Sequence, residues 1–316
     1  MDETKNKNYP SDEPEYWPPS AATVGTFDGV HLGHREVLEF LKDTAGKRDL
    51  MPLLITFSVH PLAVLAPELA PLQLTEPFVK AEYIHRSGIK VAFAPFDKSV
   101  SRLTAREWML DLRDTLNVRV LVMGHDNTFG CDGRTMTFDD YRRLGESIGM
   151  EVVQAPQLTG ISSSAIRKAL SEGDIDAANE MLGRPCDVRG KVVRGKGLGH
   201  RIGVPTANLD VDPICQLPAA GVYAGMALLP DKKVYDAVVN IGNCPTVEKD
   251  GPVTVEAHLP DYSGPDLYGE EICIAFFKRL RGEKKFDSLE ELTQQIHRDI
   301  SDTYRFFHEK EENPCP

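Results

Sequence analysis

The hydrophobic pattern of the chain changes once, near Gly183. Before that residue, short apolar runs alternate with amphipathic segments, and the runs are AATVG, PLLITF, KVAFAPF, VRVLVMG and MEVVQAP. This alternation predicts a parallel sheet with helices on both faces. After Gly183, apolar runs are separated by Gly, Pro and Asp turns, and a single long helical segment follows at 286–309. The second pattern predicts a small antiparallel β-barrel with a C-terminal helix packed on it.

Two domains are therefore expected, and a chain of 316 residues is longer than one hydrophobic core usually needs. We predict an α/β domain at 21–183 and a β-barrel domain at 184–308, with the border at the sequence GRP. Residues 1–20 are polar and rich in proline, which is typical of a flexible N-terminal tail. Residues 309–316 are expected to form a C-terminal tail.

Composition limits the kinds of partner. The net charge of −12 and the pI near 5.3 argue against general affinity for nucleic acid or anionic membranes. No segment is apolar for long enough to span a bilayer, and the opening residues do not resemble a secretory signal. The six cysteines occur singly, without the paired spacing of a zinc or redox site. We expect reduced thiols and a cytoplasmic location.

The strongest candidate site is the segment TVGTFDGVHLGH at 23–34, which follows the first apolar run. Glycines and an aspartate form a turn, and two histidines then open a helix. Imidazoles at the positive end of a helix dipole are suited to hydrogen-bond the oxyanions of a triphosphate. The alternative is a pair of structural histidines. The candidate nucleotide-binding residues are Gly25, Phe27, Asp28, His31, Gly33 and His34.

Two further segments fall where a parallel sheet binds ligands, beyond the carboxyl ends of its strands. GHDNTFG follows the run VRVLVM and contains Asp126. ISSSAIRKAL opens a helix with Ser162 and Ser163, and Arg167 lies one turn further on. The amides and hydroxyls at such a helix start are suited to hold phosphate, although an ordinary N-cap is the commoner role of serine there.

A glycine-rich, basic segment opens the second half. GKGLGHRIGVPTANL supplies a backbone that is able to wrap closely around phosphates. It lies among six basic residues within eighteen positions, namely Arg184, Arg189, Lys191, Arg194, Lys196 and Arg201. The alternative is a solvated basic strand and loop. The candidate phosphate-binding residues are Gly195, Lys196, Gly199 and Arg201.

Together these motifs resemble the bacterial bifunctional riboflavin kinase/FAD synthetase family from residue 21 to about residue 300. They occur in the family's order: TFDGVHLGH, TFSVHP, VMGHDNTFG, ISSSAIRKAL, GHRIGVPTANL, GVYAG, NIGNCPT, VEAHLPDYSGPDLYG and LRGEKKFDSLEEL. The resemblance implies a Rossmann-like nucleotidyltransferase domain that adenylylates FMN and a six-stranded barrel that phosphorylates riboflavin. ATP and Mg²⁺ are implied, with riboflavin, FMN and FAD as substrates or products.

The resemblance also implies roles for individual residues. His31 and His34 would bind the ATP phosphates, with Asp126, Ser162, Ser163 and Arg167 nearby. In the barrel, Thr206 and Asn208 would hold ATP-bound Mg²⁺, Glu256 would be the base for the riboflavin 5′-hydroxyl, and Arg281 would contact flavin.

The strand pattern around these residues agrees with the implied roles. A hydroxyl and a side-chain carbonyl two residues apart lie on one strand face, and Mg²⁺ prefers such oxygen ligands. In VTVEAHL, Glu256 alternates with the apolar residues and so leaves the opposite face of the strand. The alternative for Glu256 is a solvated strand face.

Three other functions remain open. A chain with kinase activity alone would fit Gly160, which stands where many family members have arginine. An adenylyltransferase of the cytidylyl or pantetheine-phosphate type would explain HLGH but leave PTAN and VEAHL without a role. A non-enzymatic flavin-binding protein would need neither Glu256 nor a magnesium pair. Flavins and ATP are the expected partners, nucleic acid and membranes are not, and the oligomeric state is open.

Overall fold

The computed structural model of the chain describes residues 17–125, 127–195, 199, 202–243 and 253–312. They form two compact units. The first contains the residues up to Pro71 together with Pro77–Thr159, and the second contains Leu72–Glu76 together with the residues from Gly160 onward. No helix in these ranges is long and apolar enough to cross a membrane.

The N-terminal unit is built on a parallel five-stranded sheet, as the sequence predicts. Its order is β3-β2-β1-β4-β5, and every neighbouring pair is parallel. The strands are β1 Ser20–Val24, β2 Met51–Phe57, β3 Lys90–Ala94, β4 Val118–Met123 and β5 Glu151–Gln154. The helices are α1 Leu32–Gly46, α2 Pro61–Leu65, α3 Pro77–His85, α4 Ala105–Thr115 and α5 Phe138–Ile148.

Apolar side chains cover both faces of this sheet, which explains its continuous apolar runs. On one face, Ala22 and Leu53 pack in the same cluster as Trp108 of α4. On the other face, Ala21 and Leu54 pack with Leu41 of α1. The sheet therefore holds the carboxyl ends of its strands in fixed positions, where the loops that follow them begin.

The C-terminal unit contains a closed, antiparallel six-stranded barrel, ordered β10-β7-β6-β11-β8-β9, as expected. The strands are β6 Cys186–Val193, β7 Thr206–Val211, β8 Gly221–Leu228, β9 Val234–Asn243, β10 Val253–His258 and β11 Glu271–Arg281. The hydrophobic pattern marks five of them. It does not mark β7, whose first residues, TAN, are small or polar.

The ends of the described chain differ from the expected tails. Ser20 already belongs to β1, and Trp17 packs against the core of the N-terminal unit. The C-terminal helix α8 spans Leu289–Glu312 and so includes the first residues of the predicted tail. Residues 1–16 and 313–316 lie outside the described ranges.

Two short helices pack on the barrel. They are α6 Ser163–Glu172 and α7 Ile175–Leu182. Ile166, Leu170 and Leu182 share one buried cluster with barrel residues such as Phe276. The side chain of Asn179 donates to the Phe276 carbonyl over 2.9 Å and accepts from the Cys186 amide over 2.7 Å. Apart from Leu72–Glu76, the compact units therefore divide the chain between Thr159 and Gly160, whereas the hydrophobic pattern predicts a border at Gly183.

We expect a fragment 160–316 to be more stable than a fragment 184–316. Each buried Leu or Ile contributes roughly 1.5–3 kcal/mol, and the shorter fragment loses α6 and α7 and leaves their barrel contacts open to water. Its melting temperature should be lower by at least about 10 °C. Thermal unfolding followed by circular dichroism measures the difference.

The variant Asn179→Ala in fragment 160–316 is the matched control for the helix contacts. It removes the two hydrogen bonds to β6 and β11 while keeping the apolar packing, and it should unfold between the two fragments. Equal melting temperatures for 160–316 and 184–316 would contradict a stabilising role for α6 and α7.

Candidate active sites

The turn after β1 has an unusual backbone. Phe27 and Val30 have positive φ angles of 46° and 43°, and Gly29 has a φ of 83°. Positive φ is disfavoured for side chains such as these and costs on the order of 1–3 kcal/mol at each position. The Val30 amide closes the turn by donating to the Phe27 carbonyl over 3.2 Å. A Cβ added to Gly25 would lie 3.0 Å from the Phe27 ring, so this glycine allows the ring to fold back.

The turn delivers His31 and His34 to the start of α1. His31 is the N-cap residue, and its Nδ1 accepts a hydrogen bond from the His34 amide over 3.2 Å. Because Nδ1 accepts, the neutral ring of His31 carries its proton on Nε2. The two rings stack with centroids 3.6 Å apart and planes at 15°. The predicted histidines therefore lie together at a helix N-terminus, with Gly33 in its first turn.

Burial lowers the pKa of His34 well below the usual range, and repulsion by Lys80 and by His31 in its protonated form lowers it further. The ring is therefore neutral at pH 7 and donates one hydrogen bond instead of carrying a positive charge. Its Nδ1 is buried and has no hydrogen-bond partner among the described residues. A buried polar atom in this condition is suited to a ligand.

Phe27 and Asp28 also lie in this site. The Phe27 ring lies 4.7 Å from the ring of His34, and Asp28 is 5% exposed. Asp126 lies outside the described residues. Its neighbour Asn127 ties this segment to the turn, because its side chain donates to the Val24 carbonyl at the end of β1 over 2.6 Å.

Sequence reasoning missed two residues of this site. Asn127 is a polar residue of the motif GHDNTFG, directly after Asp126, so its position in the motif is the sequence signal for it. Lys80 carries no sequence signal, since a lysine on a helix is usually solvated. In the structure Lys80 is 5% exposed and lies under the turn.

The serines at the start of α6 belong to the C-terminal unit. The Ser162 hydroxyl accepts from the Ala165 amide over 3.1 Å, so it acts as an ordinary N-cap. Ser163 is the first helical residue, and Arg167 donates from Nε to the Leu72 carbonyl over 2.6 Å. A phosphate-binding role for Ser162, Ser163 and Arg167 remains a prediction.

A second candidate site lies on the outer face of the barrel. Glu256 of β10 pairs with Asn208 of β7 on one side and with Asn240 of β9 on the other. Directly paired residues of antiparallel strands point to the same face. Their neighbours Val255 and Ala257 are each 1% exposed and belong to the interior.

Further polar residues share this outer face. His258 pairs with Thr206 across the same two strands, and its Nδ1 donates to the Pro205 carbonyl over 2.8 Å. Burial lowers the pKa of His258. The two predicted magnesium ligands, Thr206 and Asn208, are thus held two residues apart beside Glu256.

The glycine-rich segment approaches these side chains closely. A Cβ on Gly195 would lie 2.5 Å from Cγ of Asn208, and one on Gly199 would lie 3.3 Å from Oγ1 of Thr206. A Cβ at Gly195 would overlap the Asn208 side chain, and one at Gly199 would overlap the Val204 carbonyl oxygen, so both positions require glycine. The Gly199 carbonyl also accepts from the Val204 amide over 2.8 Å. Lys196 and Arg201, the charged candidates in this segment, lie outside the described residues.

Arg281, the predicted flavin contact, is held by α8. Its guanidinium donates to the Asp299 carboxylate through Nε over 3.0 Å and through Nη2 over 2.8 Å. Asp299 is 2% exposed and also accepts from Gln295. The pairing fixes the end of β11 against the helix. Arg281 is directly opposite Val222 of β8, and Val222 is directly opposite Asn240 of β9. Because Asn240 is also opposite Glu256, Arg281 and Glu256 lie at the same level across neighbouring strands.

The donors on the barrel face suit magnesium. A hydroxyl oxygen and an amide oxygen are hard ligands, and Mg²⁺ usually combines a few of these with substrate phosphates and water. No group of three or more His, Cys, Asp or Glu side chains that could hold a metal occurs in the described ranges. The residues present therefore fit a metal that arrives with a nucleotide.

Comparisons with known proteins agree with this geometry. A riboflavin kinase family model matches residues 182–307, and an FAD synthetase family model matches residues 13–168. A crystal structure described as a macrolide-efflux protein from Streptococcus pneumoniae has a TM-score of 0.81 at 30% identity. The alignment covers 91% of this chain and 95% of that one.

Two relatives carry both activities in their names. The bifunctional riboflavin kinase/FMN adenylyltransferase of Escherichia coli K12 is 36% identical over 291 residues, which is 90% of this chain and 92% of that protein. The protein of the same name from Bacillus subtilis strain 168 is 35% identical over 296 residues, which is 91% of this chain and 92% of its own length. The chain therefore belongs to the bifunctional riboflavin kinase/FMN adenylyltransferase family.

Proposed function

We propose that this chain phosphorylates riboflavin on the barrel face and adenylylates FMN at the histidine turn, using ATP in both reactions. The observation that carries the proposal is the register that sets Glu256 beside Asn208, with Thr206 two residues along the strand and glycines packed over both. A non-enzymatic flavin-binding protein has no need of this arrangement.

The kinase reaction follows from the chemistry of that face. The 5′-hydroxyl oxygen of riboflavin attacks the γ-phosphorus of ATP, the bond to the bridging oxygen breaks, and ADP leaves. Glu256 accepts the hydroxyl proton, and Thr206 and Asn208 would hold the metal. Mg²⁺ supplies charge neutralisation on the phosphates when bound.

Adenylyl transfer is assigned to the N-terminal unit. A phosphate oxygen of FMN attacks the α-phosphorus of ATP, and pyrophosphate leaves as FAD forms. His31 and His34 donate hydrogen bonds to the phosphates from the N-terminus of α1, whose dipole favours negative charge. Because the pKa of His34 is low, the ring is neutral as the nucleotide arrives.

The partners and location proposed are those of a small-molecule enzyme. Flavins and ATP are the ligands, and the isolated cysteines favour a cytoplasmic location. No disulfide joins the described residues Cys131, Cys186, Cys215 and Cys273.

One assay separates the candidate functions. Purified protein is incubated with riboflavin, ATP and Mg²⁺, and the flavins are separated by chromatography. We expect FAD. FMN alone would mean that only the kinase is active, which is the alternative favoured by Gly160. Unchanged riboflavin would leave the flavin-binding protein as the better assignment.

We expect Glu256→Gln to lower the turnover of riboflavin phosphorylation by about a hundredfold to ten-thousandfold, because it removes the basic oxygen and keeps the shape. Flavin affinity should change little, and FAD synthesis from supplied FMN should persist. The matched control is Glu271→Gln, at an exposed position on β11 of the same barrel. Near-normal turnover in Glu256→Gln would mean that this carboxylate is a solvated strand residue.

His34→Ala should reduce FAD formation from FMN by about a hundredfold or more, by analogy with the loss of a transition-state hydrogen-bond donor. Phosphorylation of riboflavin should be nearly unchanged, since the barrel is a separate unit. His85→Ala, at an exposed position at the end of α3, serves as the control. Equal loss of both activities in His34→Ala would indicate a folding defect or a single shared ATP site.

A further inference from the structure

Lys80 is a buried cation that the two proposed reactions do not use. It lies in α3 with Val79 and Ile84, the buried residues of that helix, and is 5% exposed. Lysine is rarely buried to this extent unless its ammonium group has partners. The hydrogen-bond partners of Lys80 therefore indicate its role.

The ammonium group of Lys80 joins the turn after β1 to the end of β2. Nζ donates to the Thr26 carbonyl over 2.8 Å, to Oγ1 of Thr56 over 2.9 Å and to the Phe57 carbonyl over 3.5 Å. Thr56 in turn donates to the same Thr26 carbonyl over 3.2 Å. The ammonium group therefore links the Thr26 carbonyl, just before the strained Phe27, to the end of β2.

The charge of Lys80 acts on two titratable groups of the site, Asp28 and His34. Asp28 of the turn attracts the ammonium group and raises its pKa, but burial has the larger effect and lowers that pKa to about 8. Lys80 also opposes protonation of His34, as does His31. The titratable groups that interact with Lys80 are thus Asp28 of the turn and His34 of α1. The contacts of Lys80 with β2 are hydrogen bonds to uncharged groups, the Thr56 hydroxyl and the Phe57 carbonyl.

We propose that Lys80 is a positioning residue for adenylyl transfer, which holds the histidine turn in place and supplies the positive charge that the neutral imidazoles do not. The inference rests on the adenylyltransferase function proposed above. The histidines donate hydrogen bonds, and the ammonium group below them attracts the triphosphate. A charge fixed in a water-poor site acts more strongly than an exposed one.

The test compares three forms of the full-length protein for FAD formation from FMN and MgATP between pH 6 and 9.5. They are the unmodified chain, Lys80→Arg and Lys80→Met. In the unmodified chain, kcat/KM for ATP should fall as the pH rises through about 8, because Lys80 then loses its charge. Arginine keeps its charge at every pH used, so Lys80→Arg should show no such fall between pH 6 and 9.5.

Lys80→Met removes the charge and the three donors while keeping the length of the side chain. We expect kcat/KM for ATP at pH 7 to drop about tenfold or more, as is typical when reacting groups lose their alignment. The pKa of His34, followed by NMR of the imidazole, should rise because a repelling charge has gone. A role in folding alone would not move this titration in a folded protein.

Lys42→Met is the matched control, since Lys42 lies in α1 of the same unit and pairs with Glu39 at the surface. It should leave both the rate and the pH profile unchanged. Riboflavin phosphorylation by each variant reports whether the barrel unit is intact.

Two results would overturn the inference. One is a pH profile of the unmodified chain with no fall near pH 8, which needs no variant to be folded. The other is a Lys80→Met protein with rates within about twofold of the unmodified chain and an unshifted His34. If the unmodified chain forms no FAD at all, the proposed function fails rather than the role of Lys80.

Discussion

Closure of the six-stranded barrel determines which face each side chain of its strands occupies. Because side chains alternate across each strand, filling the interior with Val255, Ala257 and Leu209 forces Glu256 and Asn208 outward. Antiparallel pairing then sets them side by side. No separate interaction is needed to assemble this face, since a slip of one residue would bury the carboxylate and expose the core.

The N-terminal unit assembles its site by another principle. A parallel sheet brings the carboxyl ends of neighbouring strands to one edge, and the loops there are free to take strained conformations that the sheet below stabilises. Phe27 and Val30 adopt positive φ, and the ammonium group of Lys80 bonds to the backbone beside them. The two units thus place the residues of their proposed sites by backbone register in one case and by a turn held in place by hydrogen bonds in the other.

Much of the fold could be predicted from the sequence because both architectures have clear hydrophobic periods. The alternation up to Gly183 predicts all five parallel strands, and the period of two predicts the outward direction of Glu256. β7 was not marked by hydrophobicity, because it begins with the polar residues that serve the barrel face. Its existence followed only from the resemblance to six-stranded barrels.

Burial and pairing could not be predicted in the same way. The burial of Lys80 depends on acceptors from the turn after β1 and from β2, which are distant in sequence. The pairing of Arg281 with Asp299 depends on where α8 lies against the barrel. The amphipathic pattern of helix α6 is equally suitable for covering a sheet or a barrel. The structure shows that α6 covers the barrel, because Ile166 and Leu170 pack in the barrel cluster.

The packing of α6 also bears on how such a two-part gene can be recombined. The FAD synthetase family model ends at residue 168, inside α6, and the riboflavin kinase model begins at 182, the last residue of α7. Similarity of sequence therefore assigns the start of α6 to one module, while its buried side chains complete the core of the other. An exchange of modules between relatives would keep α6 with the barrel core only if the crossover lay upstream of Gly160. The boundary at which homology changes and the boundary at which folding units change are different positions in this chain.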